Sequence, residues 1–174
     1  MRKQIPEFGG GSASGLRGAI ARSLAAVEQA FPDDDACLEW LWRNRCSSDG
    51  VHAFCPGCGI IRRFRRYPTK QRRQSWTCQG CGLHIHPTSG TIFHGTRTPL
   101  RTWFFALHLV ACSGEVSVSD LEQQLGVTRK VARHMKALIE GPAESGINFA
   151  SPQPETALFR AVEEAAAGIA PDLV

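Results

Sequence analysis

Two Cys-x-x-Cys pairs, Cys55/Cys58 and Cys78/Cys81, stand nineteen residues apart and supply the side chains best suited to chemistry. Thiolates are soft ligands, and each tight turn can present two of them, so the pairs predict one tetrahedral zinc site. Four sulfurs complete the shell and leave no position for a water, which makes the expected Zn2+ structural. The turns read Cys55-Pro56-Gly57-Cys58-Gly59 and Cys78-Gln79-Gly80-Cys81-Gly82, with glycine at matched positions where the chain must bend sharply. Cys37 and Cys112 fall on apolar helical faces and Cys46 follows a helix end, so these three read as core or bystanders. His84 and His86 share one side of a strand and are expected to meet solvent or phosphate.

The surroundings of the cysteines are cationic. From Gly50 to Gly114 there is no aspartate or glutamate, but there are Arg62, Arg63, Arg65, Arg66, Lys70, Arg72, Arg73, Arg97 and Arg101. Set against a dianionic tetrathiolate centre, these nine leave a charge of about +7. The whole chain of 174 residues carries only +4, because its acids gather outside that stretch; charge segregation of this kind points to nucleic acid. Arg62, Arg63, Arg65, Arg66, Arg72 and Arg73 lie between the knuckles on both faces of an expected hairpin, suited to phosphate oxygens or base edges. Phe54, Phe64, Tyr67, Trp76 and Phe93 lie beside them and read as ribbon core, with base stacking as the alternative.

Several elements must position these residues. Gly9 to Gly15 form a glycine and serine linker, and Leu16, Ile20, Leu24 and Val27 then recur at helical spacing. Asp33, Asp34 and Asp35 favour the start of a second helix, whose stripe is Cys37, Trp40 and Leu41 and whose end is the basic run Arg43 to Arg45. Val51 to Ile92 changes to short runs rich in β-branched and aromatic residues, predicting small antiparallel strands. Thr98-Pro99 opens a helix with Leu100, Trp103, Phe104, Leu107, Val110 and Ala111 on one face, closed by Gly114.

Ser119 and Glu122 form a capping box for the next helix, Gly126-Val127 a tight turn, and Thr128 a cap for the last. At about 100° per residue, Val131, Met135, Leu138 and Ile139 fall on one arc of that helix. Arg129, Lys130, Arg133, His134 and Lys136 fall on the other, where a recognition helix would present them to a major groove. The fold class expected is α+β: a small antiparallel zinc ribbon flanked by an N-terminal helical segment and a C-terminal three-helix helix-turn-helix. Its boundaries are a leader over 1–30, the acidic helix and ribbon over 31–96, the helix-turn-helix over 97–140 and an alanine-rich tail over 141–174.

The ordered set Phe31-Pro32-Asp33-Asp34-Asp35-Ala36-Cys37-Leu38-Glu39-Trp40-Leu41, Phe54-Cys55-Pro56-Gly57-Cys58-Gly59 and Cys78-Gln79-Gly80-Cys81-Gly82 continues into Gly90-Thr91-Ile92-Phe93-His94-Gly95-Thr96-Arg97-Thr98-Pro99-Leu100-Arg101-Thr102-Trp103. With Gln124-Leu125-Gly126-Val127 it resembles the zinc-ribbon insertion-sequence transposases over roughly Phe31 to Ile139. That resemblance implies a bacterial mobile-element protein whose ribbon and helix-turn-helix bind the element's terminal double-stranded DNA. Such transposases continue into a ribonuclease-H-like domain whose spaced carboxylates hold two metal ions. Only thirty-five residues, Glu140 to Val174, follow the last helix, too few for such a site, so the expectation is a DNA-binding module that is not an enzyme. Gly9 to Ala30 looks inserted relative to the family.

Full-length transposase and a second copy of the chain are further expected partners, and no membrane is. With no secretory signal after Arg2 and Lys3 and no run of transmembrane length, the expected place is the bacterial cytoplasm, at the nucleoid. Two other classes share the four cysteines: a rubredoxin-like iron protein for electron transfer, and a zinc ribbon that binds acidic protein surfaces in transcription.

Overall fold

The computed structural model describes residues 25, 27–67, 74–113 and 116–140, with side chains omitted for 111–113. The linker, most of the leader helix, Lys70, Arg72, Arg73, Gly114 and the tail therefore lie outside the described residues, as does the side chain of Cys112. Within them the elements run α1 (Asp34–Arg45), β1 (His52–Cys55), β2 (Ile60–Tyr67), β3 (Ser75–Cys78), β4 (His84–Ile85), α2 (Leu100–Ser113), α3 (Val118–Leu125) and α4 (Arg129–Glu140). The strands form one antiparallel sheet in the order β1-β2-β3-β4, giving the expected α+β class. No helix among the described residues is long and apolar enough to cross a membrane.

The acidic triplet that opens α1 works at three scales. Asp33 is the N-cap, its side chain accepting from the Ala36 amide at 2.8 Å. Asp34 reaches across to α2 and accepts from the Arg101 amide at 3.0 Å, capping a helix that begins after a proline. Asp35 faces the sheet and pairs with Arg66 at 3.0 Å. Local helix-start logic accounts for the first of these; the other two tie α1 to its neighbours.

α1 is buried on two sides, which is why its buried residues Cys37, Leu38, Leu41 and Trp42 do not form a single narrow stripe. Toward the sheet, Trp42 stacks on Trp76 with centroids 4.8 Å apart and planes 8° apart, and Phe64 tilts against it at 5.5 Å. The Trp42 indole donates to the Gly50 carbonyl at 2.8 Å, satisfying its buried polar atom. Toward α2, Trp40 and Phe31 meet Phe104 edge-on at 5.8 and 4.8 Å, and Phe93 joins Trp103 and Phe104. The expected stripe of Cys37, Trp40 and Leu41 thus omitted Trp42, the residue through which the sheet is held.

α2 packs against α1, α3 and α4, and α3 and α4 pack on each other across a short turn. Gly126 ends α3 with φ +63°, a conformation that favours glycine, and its amide returns to the Glu122 carbonyl at 3.1 Å. The cap of α3 differs from the expected one. Ser117, rather than Ser119, is the N-cap, and Asp120, rather than Glu122, closes the box, with bonds of 3.1 and 2.9 Å. Both spacings fit the pattern, but a cap at Ser117 brackets it with Val116 and Leu121, which are both buried, as a hydrophobic staple. A cap at Ser119 would put the polar Gln123 in the position of Leu121.

Candidate metal centre and cationic surfaces

Antiparallel pairing brings the two knuckles together. β1 meets β2 with Cys55 opposite Ile60, and β2 meets β3 with Phe64 opposite Cys78, so each Cys-x-x-Cys turn leaves the end of a strand. The four Sγ atoms all lie within 4.8 Å of one another. Across the two knuckles, Cys55 and Cys81 are 3.5 Å apart and Cys58 and Cys78 are 3.9 Å apart. A regular tetrahedron with metal–sulfur bonds of about 2.3 Å has edges of about 3.8 Å, so the donor set fits one tetrahedrally bound ion. Zinc and iron both take a four-sulfur tetrahedron, and the four cysteines could hold either.

The turns are near copies, and the matched glycines divide two tasks. Gly59 and Gly82 have φ of +70° and +76°, which lets each knuckle reverse. Gly57 and Gly80 serve close approach: a Cβ at Gly57 would sit 3.2 Å from Cys81 Sγ, and one at Gly80 would sit 3.4 Å from Cys58 Sγ. Each knuckle's central glycine thus makes room for a sulfur of the other. The Gly80 amide also points at Cys78 Sγ at 3.3 Å.

Electrostatics around the sulfurs are uneven. Burial works against ionising Cys78, but the Cys81 and Gly80 amides outweigh it and bring the thiol down to about 6. Burial raises Cys55, so a thiolate there calls for a cation. Cys37 and Cys46 lie outside the cluster, and burial pushes both thiols up, in keeping with their reading as non-ligands.

The cationic residues separate into two kinds. Arg62, Arg63 and Arg65 are exposed on β2, and no ion-pair partner lies against them among the described residues. Arg62 runs along the second knuckle, its Nε 3.3 Å from where a Gly80 Cβ would be. Arg66, expected to meet DNA, is half-buried and engaged by the protein's own groups. It pairs with Asp35, donates to Gln74 Oε1 and lies 5.6 Å over the Trp76 ring. Arg101 is likewise tied, to Glu28 at 3.1 Å and over Phe105.

On α4, Arg129, Lys130, Arg133 and His134 are exposed as expected, without an ion-pair partner among the described residues. Lys136 is in addition engaged within the protein, its amino group reaching the Val116 carbonyl at 2.5 Å and Glu140 at 2.6 Å. Seven positions after Arg129 and four after Ala132, it lies at the edge of the basic arc, beside the buried face of Ala132 and Met135. Leu138, expected inside, is exposed at 38%. Two aromatics expected in the ribbon core are also outside: Phe54 and Tyr67 are exposed, while Phe64, Trp76 and Phe93 are buried. Once Phe64 is fixed as buried, strand alternation turns Tyr67, three residues on, to the opposite face.

Comparison with known proteins adds one relative. The chain is similar to a mobile-element protein. It is 29% identical over 116 residues to "Uncharacterized protein in transposable element ISH50" of Halobacterium salinarum. The match takes in 59% of this chain and 36% of that protein, so the chain spans little more than a third of its relative. No family model matches the sequence, and no solved structure does.

Proposed function

We propose that the chain is the DNA-binding module of an insertion-sequence transposase, built from a structural zinc ribbon and a helix-turn-helix that grip the element's terminal duplex. The observation that carries this reading is the four-sulfur cluster set beneath an acid-free cationic hairpin. The transposable-element relative supports the same class of protein. In this reading α3 and α4 form the helix-turn-helix, and Arg129, Lys130, Arg133 and His134 face bases or phosphates. Arg62, Arg63 and Arg65 grip the backbone, joined by Arg72 and Arg73, whereas Arg66 and Lys136 hold the protein's own elements in place.

The ion is zinc, and its part is to hold Cys55, Cys58, Cys78 and Cys81 together. The described residues are assigned binding and no strand cleavage. Four thiolates offer no open coordination position for such chemistry. A full-length transposase or a second copy is the natural protein partner of such a module, and the nucleoid its natural place.

Salt titration of binding tests the assignment. Replacing Arg129 and Arg133 together with alanine should lower affinity for a cognate end duplex about 10- to 100-fold, and should reduce the slope of log K against log salt by about 2. Unchanged affinity and slope would remove α4 from the interface. One equivalent of zinc by elemental analysis is expected from freshly purified protein; a red, iron-loaded product would replace the zinc reading with electron transfer.

A further inference from the structure

Strand alternation divides the sheet into two unlike faces. Phe64 and Trp76 point to the face covered by Trp42 of α1. The opposite face collects Phe54 of β1, Ile61, Arg63, Arg65 and Tyr67 of β2, and His84 of β4, every one of them exposed. Register sets them side by side: Phe54 pairs with Ile61, Arg65 with Thr77, and Thr77 with His84. Phe54 is 60% exposed, Ile61 69% and Tyr67 50%, an apolar surface that soluble proteins keep small unless it binds something.

The chemistry of this face is mixed along its length. Two rings stand toward its ends, with the guanidinium groups of Arg63 and Arg65 between them. His52, opposite Arg63, brings the Asp49 carboxylate to this end of the face but holds it itself at 2.7 Å, and neither arginine has an ion-pair partner among the described residues. An apolar protein surface would leave the arginines without partners. A closed duplex would present phosphates to the arginines but nothing to Phe54 and Tyr67, because its bases are stacked on one another. Unpaired DNA supplies both, with flat bases for the rings and phosphates for the arginines.

Spacing agrees. Phe54 lies beside Ile61, and Tyr67 stands six residues further along β2, about 20 Å away, so each ring meets a separate base of an extended, unstacked strand. The site is also partly preset. Tyr67 meets His84 edge-on at 5.2 Å, and the His84 ring is fixed by the Ser75 and Thr77 hydroxyls at 3.1 Å each. Holding a ring in place before binding lowers the ordering cost of stacking on it.

We propose that this face of the ribbon is a stacking platform for unpaired bases, so that the ribbon takes a single strand while α4 takes the duplex. The proposal rests on reading the ribbon as a DNA surface and is independent of the role of α4. The test uses the full, zinc-loaded chain and fluorescence anisotropy with a labelled oligo(dT) strand and with a blunt duplex, at fixed salt. Phe54→Ala and Tyr67→Ala should each weaken oligo(dT) binding about tenfold, with the blunt duplex unaffected.

Tyr67→Phe keeps the ring and should bind like the parent protein, and retained zinc content with unchanged tryptophan emission certifies folding of each variant. The R129A/R133A protein should show the converse, losing the duplex and keeping the strand, so the two assignments fail separately. Unchanged oligo(dT) affinity in the Phe54→Ala, Tyr67→Ala double variant overturns the platform. Equal losses on strand and duplex would make it a duplex surface, and a parental dimer dissolved by Phe54→Ala with oligo(dT) binding intact would make it a self-association face; either result also overturns it.

Discussion

The ribbon and the C-terminal helical unit solve the same problem with different means. Around β1 to β4 the buried apolar set is short, chiefly Ala53, Phe64 and Trp76 beside the cysteines. Around α2 to α4 it includes Leu100, Trp103, Phe104, Leu107, Leu121 and Met135. A sheet that small has little burial to hold its turns, and closing them is the part given to the proposed ion at the four cysteines; the helices interdigitate and need no such clamp. The difference shows in glycine usage as well. Four glycines shape the two knuckles around the sulfurs, while α3 and α4 need only Gly126 at their turn. Trp42 of α1 bridges this contrast, stacking on the ribbon from a helix that is anchored to α2.

Removing the ion should separate the two regions most sharply. Apparent metal-binding free energies at such sites are about 10–16 kcal/mol, more than the ribbon's own packing can replace. A strong chelator is therefore expected to abolish the near-ultraviolet signal of the Trp42–Trp76 stack while helical circular dichroism from α2 to α4 persists. Simultaneous loss of both signals would show that the two regions form a single cooperative unit. Cys55→Ser should reproduce the chelated state at any zinc concentration that saturates the parent protein.

Trp42→Ala tests the bridge. Deleting a fully buried tryptophan side chain costs about 3–5 kcal/mol, and here the loss falls on the ribbon side of α1. The expected outcome is weaker zinc retention in competition with a chromophoric chelator, with the thermal transition of the helical signal moved much less. A helical transition lowered as much as zinc retention would mean that Trp42 supports both regions equally.

The smallest effect concerns acid. Asp120 is held below the ordinary carboxylate range by its hydrogen bonds with the Ser117 side chain and amide. Asp49 is held down in the ribbon by the His52 amide, the His52 ring and the Val51 amide. A depressed carboxyl adds stability that is complete above its unfolded value of about 3.9 and is lost as pH falls through the folded value. Asp120→Asn should therefore flatten the acid dependence of helical melting below about pH 4 and leave the ribbon's zinc retention unchanged; an identical acid limb in the variant would remove Asp120 as a source of it.

How far each region could be read beforehand followed from how local its signals are. The cysteine pairs and their glycines declare themselves because a knuckle is a turn of a few residues whose ligands and bends lie together in the chain. The capping of α3 misled because Ser117-Val118-Ser119-Asp120 and Ser119-Asp120-Leu121-Glu122 satisfy the same four-residue rule, and burial of Val116 and Leu121 was needed to choose. Lys136 and Arg66 looked like free cations because their partners, Val116 and Asp35, are distant in sequence. The outward Phe54 and Tyr67 were hidden by composition, since aromatic residues beside cysteines read equally well as core until a strand face is fixed.

Residue type and spacing were enough to single out the four cysteines that cluster, the acid-free cationic stretch, the α+β order and the outward arc of Arg129, Lys130 and Arg133, because each is written in residue types or in a repeat along the chain. Which arginines stay available, which serine caps and which face of the sheet carries bare rings were settled by pairings such as Asp34 with Arg101 and Trp42 with Trp76, between residues more than thirty positions apart. A backbone rule reaches only a few residues along the chain. Burial and long-range ion pairing act wherever the folded chain brings surfaces into contact, and no local pattern records them.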